Sequence, residues 1–263
     1  MSDITFYSLS FFIYLISLIF SIISLFSKKD MFTKYSVYLL LLAGIVETPG
    51  LILRGIQMKF FPITSTFEAV TFIAWIGTFV VFYFYKKYNI DKQIVFISIL
   101  VLTAFFAISS SPLASSDINP PVPALQSYWL VLHVTFAFIG EVFFIISFAS
   151  AIVYLFTKDY NKKNKFDNIT YKSILIGFPF FTLGALIFGA IWAKYSWGRF
   201  WSWDPKETWS LITWFFYAGY LHSRYIMSWK GKKSVILAII AFFIMIFTFF
   251  GVNYLLYGLH SYA

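Results

Sequence analysis

Residues 128–157, YWLVLHVTFAFIGEVFFIISFASAIVYLFT, carry only His133 and Glu141 as ionisable side chains apart from their tyrosines. As a helix rising about 1.5 Å per residue, this run is longer than the roughly 30 Å of hydrocarbon in a bilayer. It reads as a membrane span with length to spare for tilt or projection. Working outward, comparable apolar runs occupy 5–26, 35–54, 67–85, 94–109, 173–193, 209–229 and 235–257. The expected fold is therefore all-α: a polytopic integral membrane protein of about eight transmembrane helices, with residues 1–263 as one transmembrane domain.

The composition points the same way. Of 263 residues, 60% are hydrophobic, 24% aromatic and 12% charged, with a mean hydropathy of +0.79. A water-soluble domain of this length does not have such a balance. The first apolar run has no basic region ahead of it and no small-residue cleavage site behind it, so it is expected to stay as the first helix. There is no cysteine. The chain has no disulfide, thiolate metal site or thiol relay of its own, and thiols must come from a partner or substrate.

A formal net charge of +9 suggests a nucleic-acid partner only if the cations form one patch. They do not. They cluster after the first span (Lys28, Lys29, Lys34), the third (Lys86, Lys87, Lys92), the fifth (Lys158 to Lys172) and around the turn after the seventh (Arg224 to Lys233). The opposite loops hold only Arg54, Lys59, Lys194, Arg199 and Lys206. By the positive-inside rule the first set faces inward and both termini face outward. Topology thus accounts for the charge, and no nucleic acid is expected.

Two outer segments stand out. Residues 110–127 contain Pro112, Pro120, Pro121 and Pro123, which oppose a continuous helix and fit a stiff external loop, either a connector or a direct participant. Residues 192–209, WAKYSWGRFWSWDPKETW, hold five of the nine tryptophans. An interfacial belt explains Trp192 and Trp209 at span ends. It explains Trp197, Trp201 and Trp203 less well, because they lie in a loop beside Gly198; the external loop 194–208 also reads as a platform for a flat apolar ligand. Asp204, Pro205 and Glu207 have the pattern of an N-cap, a first-turn proline and a capping-box carboxylate. Arg199, Lys206 and Lys194 read either as solvated cations or as partners for ligand carboxylates, with Arg199 favoured.

The three histidines differ in depth. His133 lies about one turn inside the outer end of its span, and His260 lies just past the outer end of the last one, so both reach the side of the tryptophan loop. Each alone reads as a hydrogen-bonded interface residue or as a ligand; two beside an aromatic loop favour axial ligation of a haem iron. His222 lies roughly 20 Å from Trp209 along its helix, past the midplane, where an ionisable group needs a partner. Glu141 is expected at similar depth, as a hydrogen-bond acceptor or charge partner for His222. The alternative is an inner-interface histidine beside Arg224.

WGRFWSWDPKETW, with YLHSR at 220–224, FGVNYLLYGLHSYA at 250–263, PALQSYWLVLH at 123–133 and PITSTFEAVTFIAW at 62–75, resembles the CcsA/ResC-type haem-handling proteins of cytochrome c biogenesis system II. The tryptophan loop (WWD motif) resembles that of a wider superfamily of haem chaperones and lyases. The resemblance covers about four-fifths of the chain. It implies that haem b made inside reaches the loop, is held by His133 and His260 near Trp197, Trp201, Trp203, Arg199 and Asp204, and is attached to an apocytochrome c with a Cys-X-X-Cys-His motif. It further implies that His222 is an intramembrane entry-site ligand. Because this sequence has no fourth histidine, a bis-histidine entry site needs a partner of the ResB/CcsB type, and an obligate heteromer is expected. The resemblance places the complex in a bacterial inner membrane or a thylakoid membrane. No catalytic acid or base is legible. The rivals are a haem chaperone or transporter without lyase activity and a membrane b-type cytochrome. The latter usually needs histidine pairs across facing helices.

Overall fold

The computed structural model of the chain describes residues 2–256. It packs as two compact units, Met1–Gln126 and Ser127–Ala263, and the described elements are helical.

The first unit contains α1 (Asp3–Phe26), α2 (Met31–Met58), α3 (Thr66–Tyr88) and α4 (Lys92–Ser109). Helix α1 is inverted relative to a helix in water. Its buried positions are Asp3, Tyr7, Ser10, Tyr14, Ser17, Ser21 and Ser24, while Leu9, Phe12, Ile16 and Ile19 face outward. In lipid the apolar stripe is solvated, and small hydroxyl side chains let helices approach closely. Ser10 Oγ donates to the Ala43 carbonyl at 2.9 Å, and Ser17 Oγ donates to the Ser36 carbonyl at 2.8 Å.

Ionic locks close both ends of this unit. Arg54, fully buried, donates from Nε to Glu68 and from one terminal nitrogen to Asp3, both at 3.0 Å. It also donates to the carbonyls of Ser116 and Asp117 at 3.1 Å, which ties down the proline-rich segment. At the other end Lys92 Nζ donates to the carbonyls of Ser24, Leu25 and Ser27. These include carbonyls at the α1 C-terminus, where a cation satisfies otherwise orphaned acceptors.

The second unit begins at α5 (Tyr128–Phe156), capped by Ser127, whose Oγ accepts from the Trp129 amide. Helix α6 starts at Tyr160 rather than near 173, because the lysine-rich segment continues the helix behind its N-cap, Asp159. It passes through a π-helical stretch, Thr182–Phe188, into α7 (Gly189–Trp197). Then follow α8 (Pro205–Tyr225), α9 (Lys232–Ile246), a second π-helical stretch at Phe247–Gly251, and α10 (Val252–Leu255). Helices α5 and α6 touch through Gly140 and Gly177, where an added Cβ would come within 3 Å of the opposing backbone. Arg224 pairs with Asp167 at 2.7 Å, and Asp167 also accepts from the Gly231 amide and from Ser234 Oγ.

Seven helical runs among the described residues are long and apolar enough to cross a membrane: α1 to α5, α6 continued through α7, and α9 continued through α10. The remaining expected span, α8, has 21 residues but is too polar to qualify on composition. Lys206 and Glu207 lie in its first turn, and His222 and Arg224 lie in its last. This is a multi-pass membrane protein.

Candidate functional site

His133 stands on α5, half-buried, at the point where α6 changes its hydrogen-bond register. In the π-helical stretch the Gly184 carbonyl accepts from the Gly189 amide five residues on. It also accepts from His133 Nδ1 at 2.8 Å. A carbonyl cannot donate, so Nδ1 carries a proton, and in the neutral ring the lone pair is then on Nε2. That is the tautomer of a metal-binding imidazole, with the Nδ1–H···O=C bond fixing its orientation.

Glycine is required around this contact. A Cβ on Gly184 would lie 2.2 Å from the Ala137 amide nitrogen, and one on Gly189 would lie 2.9 Å from His133 Nδ1. The imidazole is stacked parallel to Trp192, with centroids 5.9 Å apart and planes 10° apart. Trp192 in turn meets Trp197 edge-on at 4.8 Å. Trp192 is only 1% exposed, so the belt expectation for it gives way to a role in the packing around His133. Gly184, Gly189 and Trp192 together face the turn of α5 that carries His133.

The loop that follows is rigidly held. Gly198 ends α7 with φ +77°, a left-handed cap that glycine adopts at no steric cost. Asp204 is the buried N-cap of α8, and Glu207 completes the capping box. Glu207 Oε2 accepts from the Ser202 amide (2.7 Å), Ser202 Oγ (3.0 Å) and the Asp204 amide (3.3 Å). Between these bonded residues Trp203 adopts φ +60°, a strained conformation for a bulky side chain. It is 70% exposed and meets Trp201 edge-on at 5.9 Å. Trp201 Nε1 and Glu207 Oε1 are buried and have no hydrogen-bond partner among the described residues.

The loop cations divide. Lys206 Nζ binds Asn253 Oδ1 and the Phe249 carbonyl in the second π-helical stretch, so it anchors α8 internally. Lys194 donates to the Gly198 carbonyl at 2.9 Å. Arg199 is exposed and makes no ion pair among the described residues, which leaves its guanidinium available to a ligand anion.

Two expectations for the remaining residues resolve differently. His260 lies outside the described residues. His222 is exposed on α8 and makes no hydrogen bond to Glu141; the cation within electrostatic reach of buried Glu141 is Lys206. The pairing expected from equal depth fails because depth fixes only the position along a helix, and His222 points off the outer face of α8. Among the described residues no cluster of three or more His, Cys, Asp or Glu forms a metal site.

The sequence profile of the cytochrome C assembly protein family matches residues 63–260. The chain belongs to the cytochrome c assembly protein family. Within it, a protein of Chlamydomonas reinhardtii called cytochrome c biogenesis protein CcsA is 37% identical over 226 residues, 81% of this chain and 64% of the relative. A CcsA of Prochlorococcus marinus is 36% identical over 288 residues, covering 97% of this chain and 91% of the relative. The fold is also that of a solved structure, the cytochrome c heme lyase CcmF, with a TM-score of 0.70 at 18% identity over 95% of this chain and 47% of that one. The family match spans both Glu68, at the first capping box, and the His133–Trp192–Trp203 region.

Proposed function

We propose that this chain is the haem-holding membrane subunit of a system II cytochrome c synthase. It presents haem b, its cargo, at the outer side of a bacterial inner membrane or a thylakoid membrane, both termini lying on that side. The observation that carries the reading is the setting of His133. Its Nδ1 is committed to Gly184, so that in the neutral imidazole Nε2 is the nitrogen with a lone pair, and the Trp192 ring lies parallel to it.

In this reading His133 and His260 are the axial ligands, and Trp197, Trp201 and Trp203 offer ring faces and edges to the porphyrin. Arg199 pairs with a propionate. Asp204 acts through the loop: as N-cap it holds Trp203 where it stands. The unpartnered Trp201 Nε1 is a donor for a polar group of the cargo. His222, exposed on α8, fits a ligand completed by a second subunit, for which the ResB/CcsB type is the candidate.

Attachment then needs positioning more than acid–base chemistry. Each thiol of the Cys-X-X-Cys-His motif adds across one haem vinyl group, sulfur to one carbon and hydrogen to the other, with no external oxidant. Holding both partners in one orientation supplies most of the advantage.

Co-expression with a ResB-type subunit and a c-type reporter tests the proposal. Covalent haem on the reporter is expected only when both subunits are present. Haem that co-purifies with the chain while the reporter stays apo would overturn the synthase reading in favour of a carrier.

A further inference from the structure

The Met1–Gln126 unit contains a second cluster that the haem reading does not use. Glu47 lies near the middle of α2, 0% exposed, with both carboxyl oxygens buried and without hydrogen-bond partners among the described residues. Two tyrosines on the buried stripe of α1 face it electrostatically: Tyr14, 0% exposed, and Tyr7, 3% exposed. Among the described residues neither tyrosine hydroxyl has a hydrogen-bond partner, so donors and acceptors with unmade bonds are enclosed on both facing helices. The Tyr14 ring is held edge-on against Phe106 at 5.1 Å. One turn is also short of a backbone bond, because Pro49 has no N–H for the Ile45 carbonyl.

An isolated carboxylate in such a place is very costly without a cation. The charged groups of the surrounding elements are Asp3 on α1, Arg54 on α2, Glu68 on α3 and, at the far end, Lys92 on α4 with Lys34, Lys86 and Lys87, whose ammonium groups lie over the rings of Tyr38 and Tyr83. Arg54 is already shared between two carboxylates and two carbonyls, so the triad is net negative. Lys92 is bound to three carbonyls at the α1 C-terminus. None is left to neutralise Glu47.

We propose that Glu47 and Tyr14 form a proton-binding site in the interior of the N-terminal unit. The carboxyl there is a neutral acid that shares a hydrogen bond with Tyr14 and exchanges its proton with water. Exchange follows from the polar stripe of α1. The buried positions of this stripe from Tyr14 toward the end of the unit are Ser10, whose Oγ is bonded to the Ala43 carbonyl, Tyr7, and Asp3, which is bonded to Arg54. Tyr7 is 3% exposed, and its hydroxyl has no hydrogen-bond partner among the described residues. Buried hydroxyl and carboxyl groups with unmade bonds are where ordered water is held.

Infrared spectroscopy of the full chain in lipid nanodiscs, recorded in H2O and D2O at neutral pH, reads this directly. The wild-type spectrum minus that of Glu47→Gln is expected to contain a protonated-carboxyl C=O band, shifted down after transfer to D2O. Tyr14→Phe keeps the ring contact with Phe106 and is expected to move the same band up as the hydrogen bond is lost. That variant keeps the test decisive if Glu47→Gln does not fold. A carboxylate signature for Glu47, a band unmoved in Tyr14→Phe, or one that resists prolonged D2O exposure would each overturn the proposal.

Discussion

A Cβ at position 189 would sit 2.9 Å from His133 Nδ1, so that glycine sets how closely the imidazole can approach the Gly184 carbonyl. Gly189→Ala is expected to place an overpacking strain of about 1–3 kcal/mol on the ring and on α7. Haem retention should fall while the folded yield in detergent stays close to wild type; unchanged haem content would count against the orientation argument. His133 was legible in the sequence as a polar residue one turn inside a span end. Trp192 was not, because interfacial belts and buried stacking partners share the same position in a sequence, and only the glycine-lined approach of the two helices separates them. Glu47 was equally hidden: a lone carboxylate in an apolar run gives no sign of what packs against it.

The two capping boxes are the clearest local structures at the level of elements. Ser65 with Glu68 opens α3, and Asp204 with Glu207 opens α8. Each glutamate also accepts from a residue before the cap, Thr64 or Ser202. Glu207→Ala removes three accepted bonds and is expected to cost about 1–2 kcal/mol, measured as a lower thermal midpoint, with Trp203 released from its strained conformation. Glu207→Gln should lose less. Arg54→Ala leaves the Asp3 and Glu68 carboxylates buried without a cation. Its expected cost of about 3–5 kcal/mol should appear as lost expression, partly recovered when Glu68→Gln is added.

Hydropathy revealed the helices and sequence pattern revealed the α8 cap. The π-helical stretches were invisible to both. They arise from tertiary contact: the first brings Gly184 against the α5 backbone, and Trp214 Nε1 on α8 donates to Thr182 Oγ1 at 2.9 Å. The second bonds α8 through Thr248 and the Phe249 carbonyl. Such register shifts recur at functional sites, and here they flank the helix that carries the tryptophan loop.

For the molecule as a whole, the absence of cysteine makes topology directly measurable. Phe200→Cys, at a position 58% exposed, is expected to react with a membrane-impermeant maleimide from outside. Lys163→Cys is expected to react only after permeabilisation. The opposite pattern would invert the assignment of both termini. Several cations behind the positive-inside argument, namely Arg54, Lys92, Lys206 and Arg224, also hold helices together. Charge-reversal mutants would therefore confuse orientation with folding, and labelling avoids that.

Haem holding by this chain depends most on His133 binding iron. The visible spectrum of the complex purified with its ResB-type subunit should lose its haem bands in His133→Ala and regain them when imidazole is added during growth or purification, because the small molecule can occupy the missing ligand's place. A wild-type spectrum in His133→Ala without imidazole would contradict it.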